Sequence, residues 1–243
     1  AAVAGVGGWA YSDVTGCVNK GEIRYSDEVS AAKAVYVGGV LGRLDIGKGY
    51  VVEDCRNEAP VTLATAQAAN NLLGGIAAYA NGENRDTPNT IRNCENRGDV
   101  LADAPVSDKA KTGQARMGGI CGGLFGWATL AFTITDCALD ADVVSTTLYN
   151  YDGDKGTTAD PAHENSSCAG ILVGRIKSKI EVTVESVKIY GKLTRTINAE
   201  GQTRTIDFTT TVPADNYLYG ALQDAASKLV VEQGAITCVS TAK

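Results

Sequence analysis

The chain has 243 residues, 44% of them hydrophobic, with a formal charge of −6 and a pI near 4.9, which is long and apolar enough for a sizeable core. The acidic balance and the absence of a basic run argue against a nucleic-acid surface, which needs a basic stripe to neutralise phosphates, and no stretch reaches the roughly 18 apolar residues of a membrane helix. Aromatics make up 6% against 28 glycines, a balance suited to a narrow interior of small and β-branched side chains.

Residues 1–13 start in mid-repeat, because Gly7-Gly8-Trp9 belongs to a marker that later follows a cysteine motif. Further coils upstream are therefore expected, with a neighbouring domain or subunit covering the open end of a longer chain or assembly. Trp9 and Tyr11 read as end packing, a partial lid. The segment AAVAGVGGWA lacks the basic region of an intact signal peptide.

From Val14 onward a ten-residue pattern recurs: Ile/Val, x, small polar, Cys, x, Asn, x, Gly/Ala, x, aliphatic. Copies begin at Val14, Val52, Ile91, Ile134 and Val184, with a shortened trace at Ile236-Thr237-Cys238. It alternates with Gly-Gly-aliphatic elements at Gly7-Gly8, Gly38-Gly39, Gly74-Gly75, Gly118-Gly119, Ala169-Gly170 and Tyr219-Gly220, spaced by 31, 36, 44, 51 and 50 residues. Motifs that survive while lengths grow place the extra residues in loops outside a constant unit. Each unit of about 36 residues holds about three strands, too little to bury its own apolar face, so units must stack.

Stacking gives each recurrent residue a meaning. Cys17, Cys55, Cys94 and Cys137, spaced by 38, 39 and 43 residues, should lie about one strand spacing (~4.8 Å) apart and point the same way. A disulfide needs converging vectors, so a ladder of buried free thiols is expected. Zinc is the rival, but no C-x-x-C pair is present and His163 is the sole histidine. Asn19, Asn57 and Asn96 share a turn position and predict a stacked amide ladder. The glycines in Val35–Gly42 read as a strand turning a corner, not a phosphate loop, since no G-x-G-x-x-G precedes a helix.

Six stretches depart from the repeat. Leu63–Leu73 is Ala-rich, with a short helix as the alternative to strand; Asn81–Asn89 and Asp103–Gln114 read as outer loops. Residues 145–167 form the longest insertion and the best candidate binding loop, with Tyr149, Tyr151, Asp152, Asp154 and His163 as candidate ligand contacts. Asp-x-Asp-x-Gly at Asp152–Gly156 is similar to a calcium loop, but its Gly is one place early and no Glu falls at the twelfth position. Residues 194–216 hold a second insertion, in which the two Thr/Ile runs of Arg195–Thr211 read as a hairpin standing out as a flap. Ala221–Val231 reads as a short amphipathic helix over the last coil. The chain thus reads as a single domain, residues 1–243.

The units Cys17–Ile23, Cys55–Val61 and Cys94–Val100, alternating with the Gly-Gly-aliphatic elements, resemble the GLUG-type repeats of bacterial surface proteins. The resemblance covers nearly the whole chain and implies an all-β fold, a right-handed parallel β-helix of five to six coils with loop and hairpin insertions. It also implies display on the outside of a bacterial cell, in adhesin-like proteins and in non-peptidase regions of some large secreted peptidases, and it carries over no catalytic residue; no cofactor or metal is expected. Leu139, Val187 and Ile189 depart from the pattern. An antiparallel β-sandwich, the other fold considered, would not explain one position being Cys four times.

Three functions compete. The first is a non-enzymatic adhesion or display module binding a glycan or surface protein. The second is a structural spacer or accessory subunit of a larger surface assembly. The third is a polysaccharide-active β-helix enzyme, with Asp152, Asp154 and Glu164 as candidate acids, although catalytic groups need more rigid support than a loop.

Overall fold

The computed structural model describes residues 1–26, 34–45, 49–65, 70–102, 115–126, 130–147, 168–177, 179–197, 202–208, 217–222 and 226–239. These build a parallel β-helix. One coil uses five short strands, not three: in the first they are Ala2–Ala4, Gly7–Ala10, Val14–Thr15, Val18–Asn19 and Ile23–Ser26. Each pairs in parallel with its counterpart one coil later. The result is five sheets along one axis, the first of five strands and the others of six. The expected count was too low because the third and fourth strands are two or three residues long in the early coils, too short to show alternation.

The cysteine motif is a corner between the third and fourth sheets. The residue before the cysteine adopts positive φ in four coils: Gly16 (67°), Asp54 (55°), Asn93 (48°) and Asp136 (53°). Gly, Asn and Asp tolerate that left-handed conformation best, which explains the small polar position in the pattern. The turn leaves a carbonyl two residues before the cysteine within reach of the thiol. Cys55, Cys94 and Cys137 donate at 3.2 Å to Glu53, Arg92 and Thr135, and more weakly to Val14, Val52 and Ile91 of the previous coil. At Val187 and Ile236 the preceding residue has no positive φ, and an aliphatic side chain fills the column.

The register runs Val14, Val52, Ile91, Ile134, Val184, Val231 in the third sheet and Cys137, Val187, Ile236 at the end of the cysteine column. Cys238 therefore stands not in the cysteine column, as the shortened trace suggested, but in line with Leu139 and Ile189. All seven cysteines are free thiols; Cys55, Cys94 and Cys137 are buried, while Cys17 and Cys238 are partly exposed.

The asparagine column forms the expected ladder. Asn19 Nδ2 donates to Asn57 Oδ1 (2.7 Å) and Asn57 Nδ2 to Asn96 Oδ1 (2.8 Å). Each amide also closes its own turn, Asn57 Nδ2 onto Ala59 O and Gly98 N onto Asn96 Oδ1. The ladder stops at Leu139, so Asn96 Nδ2 turns to Gly119 O (2.9 Å). The two sequence markers meet here: a methyl on Gly39 would lie 2.4 Å from Asn57 Cγ, and one on Gly75 2.1 Å from Asn96 Nδ2.

That contact also corrects the register at the chain ends. Gly38 pairs with Ala4 and Gly74, so the first-coil counterpart of Gly39 is Gly5, not Gly8. Gly170 aligns with Gly118, which puts Ile171 opposite Gly119, and Tyr219 aligns with Val173, which puts Gly220 opposite Gly174. A second glycine line, Gly8, Gly42, Gly122, Gly174 and Gly220, packs against backbone of the first sheet, and its Gly-Gly pairs imitate the first line in sequence.

Two insertion readings change. Lys192–Ile197 extends the fifth sheet in parallel beside Val143–Thr147, and Gln202–Asp207 returns antiparallel against it. The hairpin is thus part of the body and not a flap; its sequel, Phe208, is fully buried in the interior. In place of a helix over Ala221–Val231, the chain forms strands Tyr219–Leu222 and Lys228–Val231, because parallel pairing with the fifth coil buries Ala221 better than an isolated helical turn would. Around the Ala-rich run the strands are Val61–Thr65 and Asn70–Gly74. Asn89, expected in a loop, is fully buried and satisfied by Asn81 O, Asp45 O and Tyr50 N. Residues 103–114 lie outside the described residues. No helix among the described residues is long and apolar enough to cross a membrane.

Candidate functional site

Tyr149, Tyr151, Asp152, Asp154, His163 and Glu164 all lie outside the described residues. Among those described, the most organised outward-facing group is on the second sheet. Gly7–Ala10, Leu41–Leu44, Ala77–Asn81, Cys121–Phe125 and Val173–Lys177 put Trp9, Arg43, Tyr79, Gly123 and Arg175 in one register line. Leu44, Ala80, Leu124 and Ile176 alternate with them into the core, as strand pleating requires.

These outward side chains stack along the axis. The Arg43 guanidinium lies 4.2 Å over the Trp9 ring and 4.8 Å over Tyr79. Tyr79 stacks on Phe125 with centroids 4.8 Å apart, and Arg175 follows at 5.6 Å over Phe125. Gly123 makes this possible, since a methyl there would meet Phe125 Cε2 at 2.8 Å and Leu72 Cδ2 at 2.2 Å. Tyr36, from the first sheet, closes the group at 5.1 Å from Tyr79. With Leu72, Ala78, Tyr79 and Phe125 it forms a small apolar cluster separate from the interior.

Asp45 fixes the polar rim. It accepts from Trp9 Nε1 (2.9 Å), Arg43 (3.0 Å) and Asn81 Nδ2 (2.6 Å), while Tyr79 Oη donates to Asn81 Oδ1 (2.7 Å). Burial pushes the Tyr79 hydroxyl up to about 12, so it remains a donor at neutral pH. Trp9 and Tyr11, at the other end of the group, are half exposed or more (50% and 60%), with rings stacked at 5.8 Å and 12°. The Asp45 carboxylate is thus engaged by at least Trp9, Arg43 and Asn81.

The fourth sheet carries ion pairs Arg56–Glu58 and Arg97–Glu95 and two adjoining open depressions of about 220 and 460 Å³ between Glu95, Ala138 and Lys188. Cys94 and Cys137 border the larger one. The contact of Cys94 with Cys55, together with burial, holds the Cys94 proton well above the ordinary thiol range, and burial, helped by the Asp136 charge, pushes Cys137 up to about 12. These are inert, protonated core thiols. Among the described residues no group of three or more His, Cys, Asp or Glu is placed to hold a metal ion.

Set against family models, curated proteins and solved structures, the chain finds no match. The stacked column was missed in the sequence because its members are 34 and 36 residues apart. A signal was present: Trp9, Arg43 and Tyr79 each stand four places after Gly5, Gly39 and Gly75, an offset visible once Gly5 replaces Gly8 in the register.

Proposed function

We propose that this chain is a non-catalytic adhesion or display module of a bacterial surface protein of the GLUG-repeat type, working outside the cell and binding a glycan or protein ligand. One contrast carries the reading. An interior line keeps the same chemistry in every coil (Val14, Val52, Ile91, Ile134, Val184, Val231), whereas the line on the second sheet that points away from that interior changes at every step (Trp9, Arg43, Tyr79, Gly123, Arg175), with Trp9 and Arg43 reaching solvent and Tyr79 and Arg175 buried. A frame with fixed packing and a variable outside suits recognition, because varied groups sit on rigid strands. Display of the chain on a non-adherent host, with parallel glycan and protein arrays, tests it. A specific ligand and restored attachment are expected; no ligand on either array and no attachment would overturn it. The continuous stacking of strands in the five sheets also favours a second reading, a stiff spacer or accessory subunit in a larger assembly, which the same experiment separates by attachment without a ligand of its own.

A further inference from the structure

We propose that the cysteine column is a two-coordinate site for a soft monovalent cation, copper(I) or silver(I), held in line between the sulfurs of Cys94 and Cys137; this goes beyond the binding-module reading and does not depend on it. Register sets the geometry. Cys94 stands one coil from Cys55 and one from Cys137, because Glu95 pairs with Arg56 on one side and with Ala138 on the other. The three thiols share one orientation: each donates at 3.2 Å to the carbonyl two residues before it and more weakly to a carbonyl of the previous coil. Like sulfurs in such a parallel stack are spaced by about one strand separation, ~4.8 Å. That is far too wide for a sulfur–sulfur bond of about 2 Å, whereas two metal–thiolate bonds of about 2.3 Å laid end to end span roughly 4.6 Å.

Ligand number and access select the cation. Among the described residues no group of three or more His, Cys, Asp or Glu is placed to hold a metal, so the column does not offer zinc its four ligands. Two aligned sulfurs suit soft ions that accept linear coordination. Cys94 and Cys137 both border the larger depression, of about 460 Å³, whose wall also carries the Glu95 and Asp136 carboxylates and Lys188. It gives a bare cation a route, with carboxylates to attract it, to thiols too buried for bulkier reagents. Binding breaks two S–H bonds, forms two sulfur–metal bonds and releases two protons to solvent. One net negative charge remains, beside a depression that Lys188 also lines.

The test uses the full chain under argon, titrated with copper(I) as its acetonitrile complex against bicinchoninate as a coloured competitor. Two doubly substituted chains decide it, each keeping two of the four column thiols Cys17, Cys55, Cys94 and Cys137. Cys17→Ser with Cys55→Val keeps the neighbours Cys94 and Cys137, and should still take one copper(I) from the competitor. Cys55→Val with Cys137→Val keeps Cys17 and Cys94, two coils apart; it should bind roughly a hundredfold more weakly or worse, since the second ligand is no longer held beside the first. Valine already fills this column at Val187, so both chains should fold. X-ray absorption on the unsubstituted chain, which needs no variant, should show two sulfur ligands and no third, with the circular dichroism of the sheets unchanged by metal. Equal binding by the two substituted chains, no copper(I) withdrawn from the competitor, a third sulfur in the absorption spectrum, or binding only with loss of the sheet signal overturns the site.

Discussion

Asn57 donates its side-chain amide to Asn96 across neighbouring coils at 2.8 Å while receiving the amide of Asn19 at 2.7 Å, with no exposure to solvent. A buried amide in such a chain is cheap only when every neighbour is present. Asn57→Ala is expected to cost about 2–4 kcal/mol, because it strands the Asn19 donor and the Asn96 acceptor as well as losing the bond to Ala59 O. Urea denaturation would show a lower midpoint at unchanged slope. Leu139→Asn, which lengthens the ladder toward Ile189 without completing it, should gain little.

The glycine facing that amide is equally constrained. Gly75→Ala would set a methyl 2.1 Å from Asn96 Nδ2 and 2.2 Å from Gly119 O, an overlap that only movement of backbone relieves. Failure to fold, or a loss above about 3 kcal/mol, is expected from this overpacking. Gly21→Ala is the control. A methyl there meets nothing closer than Asn19 Oδ1 at 4.0 Å, and its column already holds Ala59 and Ala141, so its midpoint should move by less than about 1 kcal/mol.

Which parts of this were legible in the sequence follows from which residues the stack constrains. Cys94, Asn96 and Gly75 are fixed by contacts that recur coil after coil, so identity repeats and the parallel fold can be read from it. Trp9, Arg43 and Tyr79 obey only the register, since nothing outside the frame demands a repeated identity, and their contact appears only when the coils are superposed. Two-residue strands such as Val18–Asn19 leave no periodicity, and the second glycine line displaced the register at Gly7-Gly8. Phe208 was invisible because no other coil puts a large ring where the hairpin hands the chain back to the interior.

Alkaline stability should report the thiols. Burial pushes Cys121 and Cys137 up to about 12, whereas an unfolded thiol titrates near 8.5. Between those values the unfolded chain has released the proton and the folded chain has kept it, so stability present below about pH 8.5 is lost as pH rises, by roughly 1.4 kcal/mol per pH unit for each thiol. Cys137→Val, a residue the same column uses at Val187, should flatten that fall without large cost at pH 7. Native-state alkylation should reach Cys17 and Cys238 first.

The buried ring after the hairpin gives another test. Phe208 has no exposure and its amide bonds to Gly191 O at 3.0 Å. Phe208→Ala should cost about 3–5 kcal/mol, the usual loss for a large ring removed from a core. Hydrogen exchange should place the damage in Lys192–Ile197 and Gln202–Asp207 and spare the early coils, since in a stacked repeat each coil leans only on its neighbours.

Asp45 holds the outward column together, and its removal should loosen Trp9 before it loosens the fold. Asp45→Ala deletes acceptors used by Trp9, Arg43 and Asn81 and leaves the Arg43 guanidinium between two rings without its counter-charge. Breaking a largely buried pair of this kind costs about 2–4 kcal/mol. Asp45→Asn should lie between, because one oxygen remains to receive either Trp9 or Arg43 but not both along with Asn81. In a chain carrying Trp127→Phe, tryptophan anisotropy should fall in the order wild type, Asp45→Asn, Asp45→Ala. Unchanged anisotropy in the alanine variant would mean that the stack on Arg43, not the carboxylate, immobilises the indole.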